Sequence, residues 1–405
     1  MSSVNLALYP DQVLWSAGAI ALLLCQLPAT AILLARLLRG PIRRPPLQPE
    51  IPIPDQIGWV TVIVPTLNEA DRIGACLTGL GRQSYEVREI LVVDSCSQDG
   101  TPELVKAAQQ LDPRFRLLTD DPLPVGWVGR PWALHTGFQH SSEQSDWILG
   151  IDADTQPQPG LVASLIRVAQ SERYDLLSLS PQFILKYPGE CWLQPALLMT
   201  LVYRFGPAGE RSNTSDRTMA NGQCFFCRRS LLAELGGYTI ARHSFCDDVT
   251  LARYAAAQGA RVGFLDGAQV LKVRMYEGAA ETWREWGRSL DLKDATTRSQ
   301  LWSDLWFLAM VQGLPLLLSL VWLILIQTIP GTLVITAAGG LNLFLVALRF
   351  ALLGAIVPSY DLSQSYAPWL LWLSPLADPL AFLRILLSTV QTPKSWRGRS
   401  YTFES

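Results

Sequence analysis

Apolar residues are distributed in two different ways along this chain. Near both ends they form long unbroken runs, and between them they come as short blocks separated by polar, glycine- and proline-containing stretches. Residues 12–35 contain no charge and are rich in Leu, Ala and Ile. That is long enough for a bilayer-crossing helix, which needs about 20 residues. Arg36, Arg39, Arg43 and Arg44 follow at once, so the positive-inside rule makes that flank cytoplasmic. Ala29-Thr30-Ala31 mimics a signal-peptidase site. No Lys or Arg precedes the run, however, and it continues past that point, which favours a retained anchor over a signal peptide. Pro28 predicts a kink. Residues 305–348 are also uncharged, with Pro330-Gly331 near the middle, and two spans joined by a tight turn are expected. A third stretch, 366–390, is interrupted by Pro375, Asp378, Pro379 and Arg384. Charges at membrane depth are costly, and the basic tail Lys394, Arg397 and Arg399 favours a cytoplasmic end. This last segment is therefore expected to be re-entrant or interfacial rather than spanning.

The central pattern is different. Residues 59–65 read as a buried strand ended by Pro65, followed by Asn68-Glu69 and a helical pattern over 70–82. Residues 89–94 form a second strand and 95–100 a loop, and Thr101-Pro102-Glu103 opens a helix by capping chemistry. Further strands are expected at 114–118 and 147–152, the latter running into Asp152-Ala153-Asp154. Strand alternating with helix predicts an α/β domain with a mostly parallel sheet covered on both faces. Ligands of such sheets sit beyond the carboxyl ends of the strands. Pro65, Asp94 and Asp152 each stand where a strand stops, so all three should face one crevice. The expected organisation is an anchor over 1–40 and a Pro-rich linker over 41–58, with Pro45, Pro46, Pro49, Pro52 and Pro54. The α/β domain follows over 59–290, then an interfacial connector over 291–304, apolar helices over 305–392 and a basic tail over 393–405.

Composition narrows the class. The 405 residues are 49% hydrophobic and only 17% charged, against about a quarter charged in soluble proteins. A disordered chain, a collagen-like chain and an ordinary soluble enzyme are excluded. A net charge of −2 gives no support to a nucleic-acid partner. The seven cysteines are scattered and odd in number, as suits buried thiols of a cytosol-facing protein. Cys224-x-x-Cys227 lacks the second pair or nearby histidine of a zinc site.

Four constellations carry candidate chemistry. Asp152 and Asp154 at a strand end can hold Mg²⁺ or Mn²⁺, which take one or two carboxylates plus phosphate oxygens; the bland alternative is an acidic turn. Asp94 can accept from a base or ribose, or cap its loop. Asp247 and Asp248 open an amphipathic helix, where the dipole favours negative charge. Capping suits Asp247, while Asp248 can act as a general base toward an acceptor hydroxyl. Gly126-Trp127-x-Gly129-Arg130 can approach a diphosphate through its glycines and its cation, or be a loop with a solvated arginine. P-loop and dinucleotide-binding glycine patterns are missing from the sequence. His135, His140 and His243 lack metal spacing, and Ser95 and Cys96 lack a local base. Trp283, Arg284 and Trp286 read as an interfacial helix, or as part of an acceptor site.

The order Ile63-Val64-Pro65-Thr66-Leu67-Asn68-Glu69, Val92-Val93-Asp94 with Asp99-Gly100-Thr101, Asp152-Ala153-Asp154 and Asp247-Asp248-x-x-Leu251 resembles family 2 glycosyltransferases. The resemblance implies a GT-A fold, a single nucleotide-sugar-binding α/β domain. It implies that Pro65, Glu69, Asp94, Arg130 and Asp152 bind the nucleotide-diphosphate sugar. Asp152 and Asp154 would hold the divalent cation, and Asp248 would be the catalytic base. Asp247, Trp283, Arg284 and Trp286 would support the base or meet the acceptor. Relatives often have lysine at the place of Arg130. Processive members carry Gln-x-x-Arg-Trp, which residues 281–286 match only loosely, so the resemblance implies transfer of one sugar. Gly126-Trp127-x-Gly129, Trp396-Arg397-Gly398-Arg399 and the arrangement of anchors resemble hopanoid-associated and carotenoid glycosyltransferases, most of all the cyanobacterial carotenoid 2′-O-glycosyltransferases. A carotenoid acceptor in the inner membrane of a bacterium is then implied, on a multi-pass protein with its catalytic domain in the cytoplasm. Hopanoid, polyprenyl-phosphate or sphingolipid-type acceptors are the alternatives. Nucleotidyl transfer, or an inactive sensor or scaffold, would be a different function.

Overall fold

A computed structural model of the chain describes residues 10–210, 215–287, 290, 292–326, 332–391, 395–396 and 399–400. The central sheet has seven strands: β1 (Val60–Thr66), β2 (Val87–Asp94), β3 (Phe115–Thr119), β4 (Trp147–Ile151), β6 (Leu176–Ser180), β8 (Cys224–Arg228) and β9 (Val262–Asp266). Their order is β3-β2-β1-β4-β8-β6-β9. All neighbours pair in parallel except β8, which runs antiparallel to both β4 and β6. The expected alternation is therefore present, with one reversed strand in the middle.

Side chains of successive strand residues point to opposite faces, and this divides the core in two. Val60, Val62, Val64, Cys224 and Phe226 pack under α2 (Ile73–Gly81), α3 (Thr101–Leu111) and α5 (Leu161–Ser171). Ile63, Phe225 and Cys227 pack under α4 (Gly129–His140), α7 (Arg229–Glu234) and α8 (Asp247–Ala257). Cys224 and Cys227 thus lie on opposite faces as buried free thiols.

A second, four-stranded sheet has the order β11-β7-β10-β5. It is built from β5 (Thr155–Pro157), β7 (Gln182–Ile184), β10 (Leu271–Val273) and β11 (Tyr360–Asp361). β5 starts at the residue after Asp154.

Among the described residues, three segments are long and apolar enough to cross a membrane: Val13–Ile42, Leu333–Ser359 and Pro368–Val390. The first overlaps α1 (Pro10–Leu37), which continues through Pro28. Arg298–Gly313 and Pro315–Leu325 form a further apolar pair, bent by 45°. They contain α10 (Arg298–Leu308), a π-type turn at Ala309–Gly313 and α11 (Pro315–Leu325). Pro315, which lacks an N–H, and the π turn account for the bend. The turn expected at Pro330-Gly331 lies outside the described residues. α12 (Leu333–Ile356) follows. The last segment joins a 3₁₀ stretch, Pro368–Ala377, to α13 (Asp378–Val390). The charges that argued against a span here are partnered inside the protein. Arg349 pairs with Asp378, and Arg384 donates to the carbonyls of Trp283 and Arg284.

The arginines after α1 clasp the α/β domain. Arg36 donates to the Tyr203 carbonyl at 2.8 Å, and Arg39, Arg43 and Arg44 pair with Glu210, Asp266 and Glu172. The Pro-rich stretch is docked too. Leu47 is buried in the core, and its N–H donates to the Asp266 carbonyl at 2.8 Å.

Candidate active site

Loops after β1 and β2 are bound to one another. Ser97 Oγ accepts from the Asn68 N–H at 2.8 Å, and Asp99 accepts from the Ala70 N–H at 2.9 Å. The N-cap position of α3 is Gly100, without a side-chain cap; Asp99 just before it accepts from the Thr101 N–H at 3.1 Å, while the Thr101 hydroxyl accepts from the Glu69 N–H. This fixes Glu69 at the mouth of a cavity of about 430 Å³.

Pro65, Glu69, Arg130, Asp152, Asp154, Asp247 and Asp248 all line that cavity. They come from the ends of β1 and β4 and from the starts of α4 and α8, far apart in sequence. Asp94 does not line it. Its carboxylate turns to its own neighbourhood, accepting from Thr66 Oγ1 at 3.0 Å and from the Ser97 N–H at 2.9 Å. The crevice expected to gather three strand ends therefore brings two of them together.

Arg130 is neither solvated nor aimed at open space. Its Nε donates to Asp152 Oδ1 at 3.0 Å, its Nη2 to the Gly222 carbonyl at 2.8 Å, and its Nη1 to Asp247. Asp247 is thus an ion-pair partner rather than the cap expected from its place; the N-cap position of α8 is Cys246, without a side-chain cap. Burial raises the pKa of both carboxyls at the start of α8. Asp248 is pushed up to about 7, by burial first and the charge of Asp247 second, with Arg130 opposing. A carboxyl poised near neutrality suits proton transfer at physiological pH.

The far wall is apolar. Phe183 from β7, Leu198 and Leu201 from α6 (Pro188–Phe205), and Met275, Trp286 and Leu290 line it. Trp286 is buried, with its ring 5.7 Å from Phe183, so it is a wall of the cavity and not an interfacial residue. Trp283 packs in the same core, under the Arg384 guanidinium. Arg284 lines the cavity beside Glu281 and Glu285. The segment carrying these residues contains a π-type turn, Thr282–Trp286, a feature common at functional sites. Glu190, fully buried, holds its start by accepting from the Gly278 N–H and from Arg274. Sequence reasoning missed Glu190, Leu198 and Leu201. They sit in a helix whose apolar pattern looks like ordinary core, and only its place beside the cavity gives it meaning.

Among the described residues, no three His, Cys, Asp or Glu side chains group so as to hold a metal ion. Asp152 and Asp154 both line the cavity, and Asp152 is engaged by Arg130. His135 packs against both Trp127 and Trp132, which also touch each other, and its Nδ1 accepts from the Tyr238 N–H.

Comparison with known proteins fits this geometry. Residues 61–236 match the family model for glycosyl transferase family 2. Those residues carry a family 2 glycosyltransferase domain. The chain is 24% identical over 245 residues to the 4,4′-diaponeurosporenoate glycosyltransferase of Staphylococcus haemolyticus, which spans 60% of this chain and 64% of that relative. It is 35% identical over 86 residues to glycosyltransferase AglE of Haloferax volcanii, over 21% of this chain and 27% of the relative. Among solved structures, the mannosyltransferase PcManGT of Pyrobaculum calidifontis, in complex with GDP-Man and Mn²⁺, superposes with a TM-score of 0.50 at 21% identity. That likeness covers 93% of this chain and 98% of that one, and shows a shared GT-A fold.

Proposed function

We propose that this protein moves a single sugar, with inversion, from a nucleotide-diphosphate sugar to a hydroxyl of a membrane lipid, a carotenoid fitting best. The observation that carries the reading is one cavity with two chemistries: carboxylates and apolar side chains line the same space. The apolar wall is continuous with the membrane helices. Phe183, Trp286 and Leu290 share a single core cluster with Ala29 and Leu33 of α1 and Leu345 and Leu353 of α12. Such a wall lets an acceptor that barely dissolves in water reach a polar reaction centre.

In this reading Asp248 takes the acceptor proton as the hydroxyl oxygen attacks the anomeric carbon from the face opposite the diphosphate. Pro65 and Glu69 lie where the nucleoside would rest, and Asp94, held by Thr66 and Ser97, supports the neighbouring loop instead of lining the cavity. Asp152 and Asp154 would hold a divalent cation, which supplies charge neutralisation on the departing diphosphate when bound. Holding donor and acceptor in line supplies much of the rate.

The lining charges separate the acceptor classes. Glu69, Asp152, Asp154, Asp247, Asp248, Glu281 and Glu285 face the cavity against Arg130 and Arg284, and Arg130 already serves two carboxylates. A lipid phosphate wants free cations, so the cavity favours an uncharged acceptor over a polyprenyl phosphate. The relative named for diaponeurosporenoate supports the carotenoid class, though that name denotes a carboxylate, so the choice of an uncharged hydroxyl rests on the lining charges alone. The apolar helices support a multi-pass protein of a bacterial inner membrane, with the arginine flank of α1 and the catalytic domain on the cytoplasmic side.

Lipid and pigment extraction from cells with and without the protein tests the reading. Loss of a carotenoid glycoside supports it, while loss of a hopanoid or sphingolipid glycoside replaces the acceptor. Donor binding without turnover over a broad acceptor panel would indicate a sensor or scaffold, and pyrophosphate as product would indicate nucleotidyl transfer.

A further inference from the structure

Arg130 lies where three parts of the cavity wall meet: the turn after β4 through Asp152, the start of α8 through Asp247, and the segment before β8 through the Gly222 carbonyl. Its side chain is 14% exposed. Guanidinium N–H groups form a rigid planar fork, and here that fork is directed at protein acceptors.

Gly222 supplies a second, independent observation. A Cβ there would stand 2.4 Å from Arg130 Nη2 and 2.7 Å from Cζ. The backbone of Gly222 is outside the left-handed region, so nothing in its own conformation demands glycine. What demands it is the room taken by the guanidinium.

We propose that Arg130 is a positioning residue: it fixes Asp247, and through it the neighbouring Asp248, to the Asp152 turn, and Gly222 is small in order to admit it. The inference rests on Asp248 being the base, and it replaces direct contact between Arg130 and the diphosphate. The charged groups around Asp248 are Asp247 on its own helix and Arg130 from α4. Asp152, Asp154, Glu69, Glu281, Arg284 and Glu285 face it from the remaining cavity walls, and Asp294 accepts from the nearby Phe245 N–H. In the site before it is loaded, Arg130 balances the adjacent acids. Without that charge, the buried Asp247 and the half-buried Asp248 compete to stay ionised, and Asp248 gives up its proton only at higher pH.

The test compares full-length Arg130→Gln, Arg130→Lys and Gly222→Ala in membranes. It measures the pH profile of kcat/KM, the donor KM, and binding of labelled nucleoside diphosphate without turnover. The acid limb is expected to move up by about one pH unit in Arg130→Gln and Gly222→Ala, and by less in Arg130→Lys. Donor KM and nucleoside diphosphate binding should change less than about threefold (under 0.7 kcal/mol). A tenfold or larger rise in donor KM with the acid limb in place would make Arg130 a diphosphate ligand and overturn the proposal. An equal loss of activity at every pH would also overturn it, by making the role merely structural. Should Arg130→Gln fail to accumulate, Arg130→Lys and Gly222→Ala carry the same readout. Wild-type turnover by Asp248→Asn would instead remove the reading of the base, a result separable from all of these.

Discussion

Arg349 of α12 and Asp378 at the start of α13 form an ion pair at 2.9 Å, with side chains 3% and 6% exposed. Gln312 donates to the same carboxylate at 3.3 Å and to the Ala196 carbonyl at 2.9 Å, so one buried cluster joins the bent apolar pair, α12, α13 and α6. Removing one partner strands a buried charge, which costs about 3–5 kcal/mol. Asp378→Leu or Arg349→Met alone should lower the midpoint of thermal unfolding in detergent sharply. The double variant should recover most of the loss, because it removes both charges together.

Asp248→Asn should lower turnover by about 100- to 10,000-fold, the usual contribution of a general base. Asparagine has nearly the same shape but cannot take the proton. Donor affinity, measured by equilibrium binding, should stay within a few-fold of wild type.

The pH dependence follows from the same carboxyl. Its pKa is raised to about 7 in the folded protein, and a base works only when deprotonated. Below that value kcat/KM should fall about tenfold per pH unit, and above it the profile should level off. For the fold the sign is opposite. A carboxyl with a raised pKa favours the folded state at low pH, and that contribution is lost as pH rises through about 7. Measured on one preparation, activity should therefore rise while this contribution to stability falls as pH approaches about 7 from below, and both should level off above it.

Chelation should abolish turnover, with Mn²⁺ or Mg²⁺ restoring it, since the carboxylates at the end of β4 cannot neutralise a departing diphosphate. Asp154→Ala should raise the concentration of Mn²⁺ needed for half-maximal restoration by at least tenfold. Titration of Mn²⁺ against donor binding provides a readout independent of turnover.

Leu201→Asn places a polar amide in the apolar wall. Acceptor KM should rise about tenfold, in line with the 1–3 kcal/mol that small changes in such pockets cost. Donor KM should not move. The check is a two-substrate kinetic analysis with a lipid acceptor in mixed micelles.

Four strands of the central sheet, β1 to β4, were legible in the sequence because they are short apolar blocks, three of them ending at or beside Pro65, Asp94 and Asp152; β6, the reversed β8 and β9 were not read. The acidic pairs were legible for the same reason, since each stands where a strand ends or a helix begins. What each carboxylate touches was not. Arg130 looked like a loop cation because its partners, Asp152 and Asp247, are 22 and 117 residues away. Asp94 looked equivalent to Asp152 because local sequence cannot tell which strand end borders the cavity. Leu198 and Leu201 carried no distinguishing signal, as an apolar helix reads the same whether it fills a core or walls a cavity. The partners of the charges in the last apolar segment were not legible either: Asp378 pairs with Arg349 of α12, a pairing no window of sequence contains.

The small sheet has a practical consequence. The residue after Asp154 opens β5, which is laced by backbone hydrogen bonds through β10 and β7 to Tyr360 and Asp361, beyond α12. Lys272 reinforces the last join by donating to Asp361 at 2.6 Å. Trimming away the apolar C-terminal third to obtain a water-soluble fragment would bare the edge of β7 and loosen the seat of the acidic turn. Enzymologists will need the entire polypeptide in detergent or nanodiscs, because catalyst and anchor here are a single woven object.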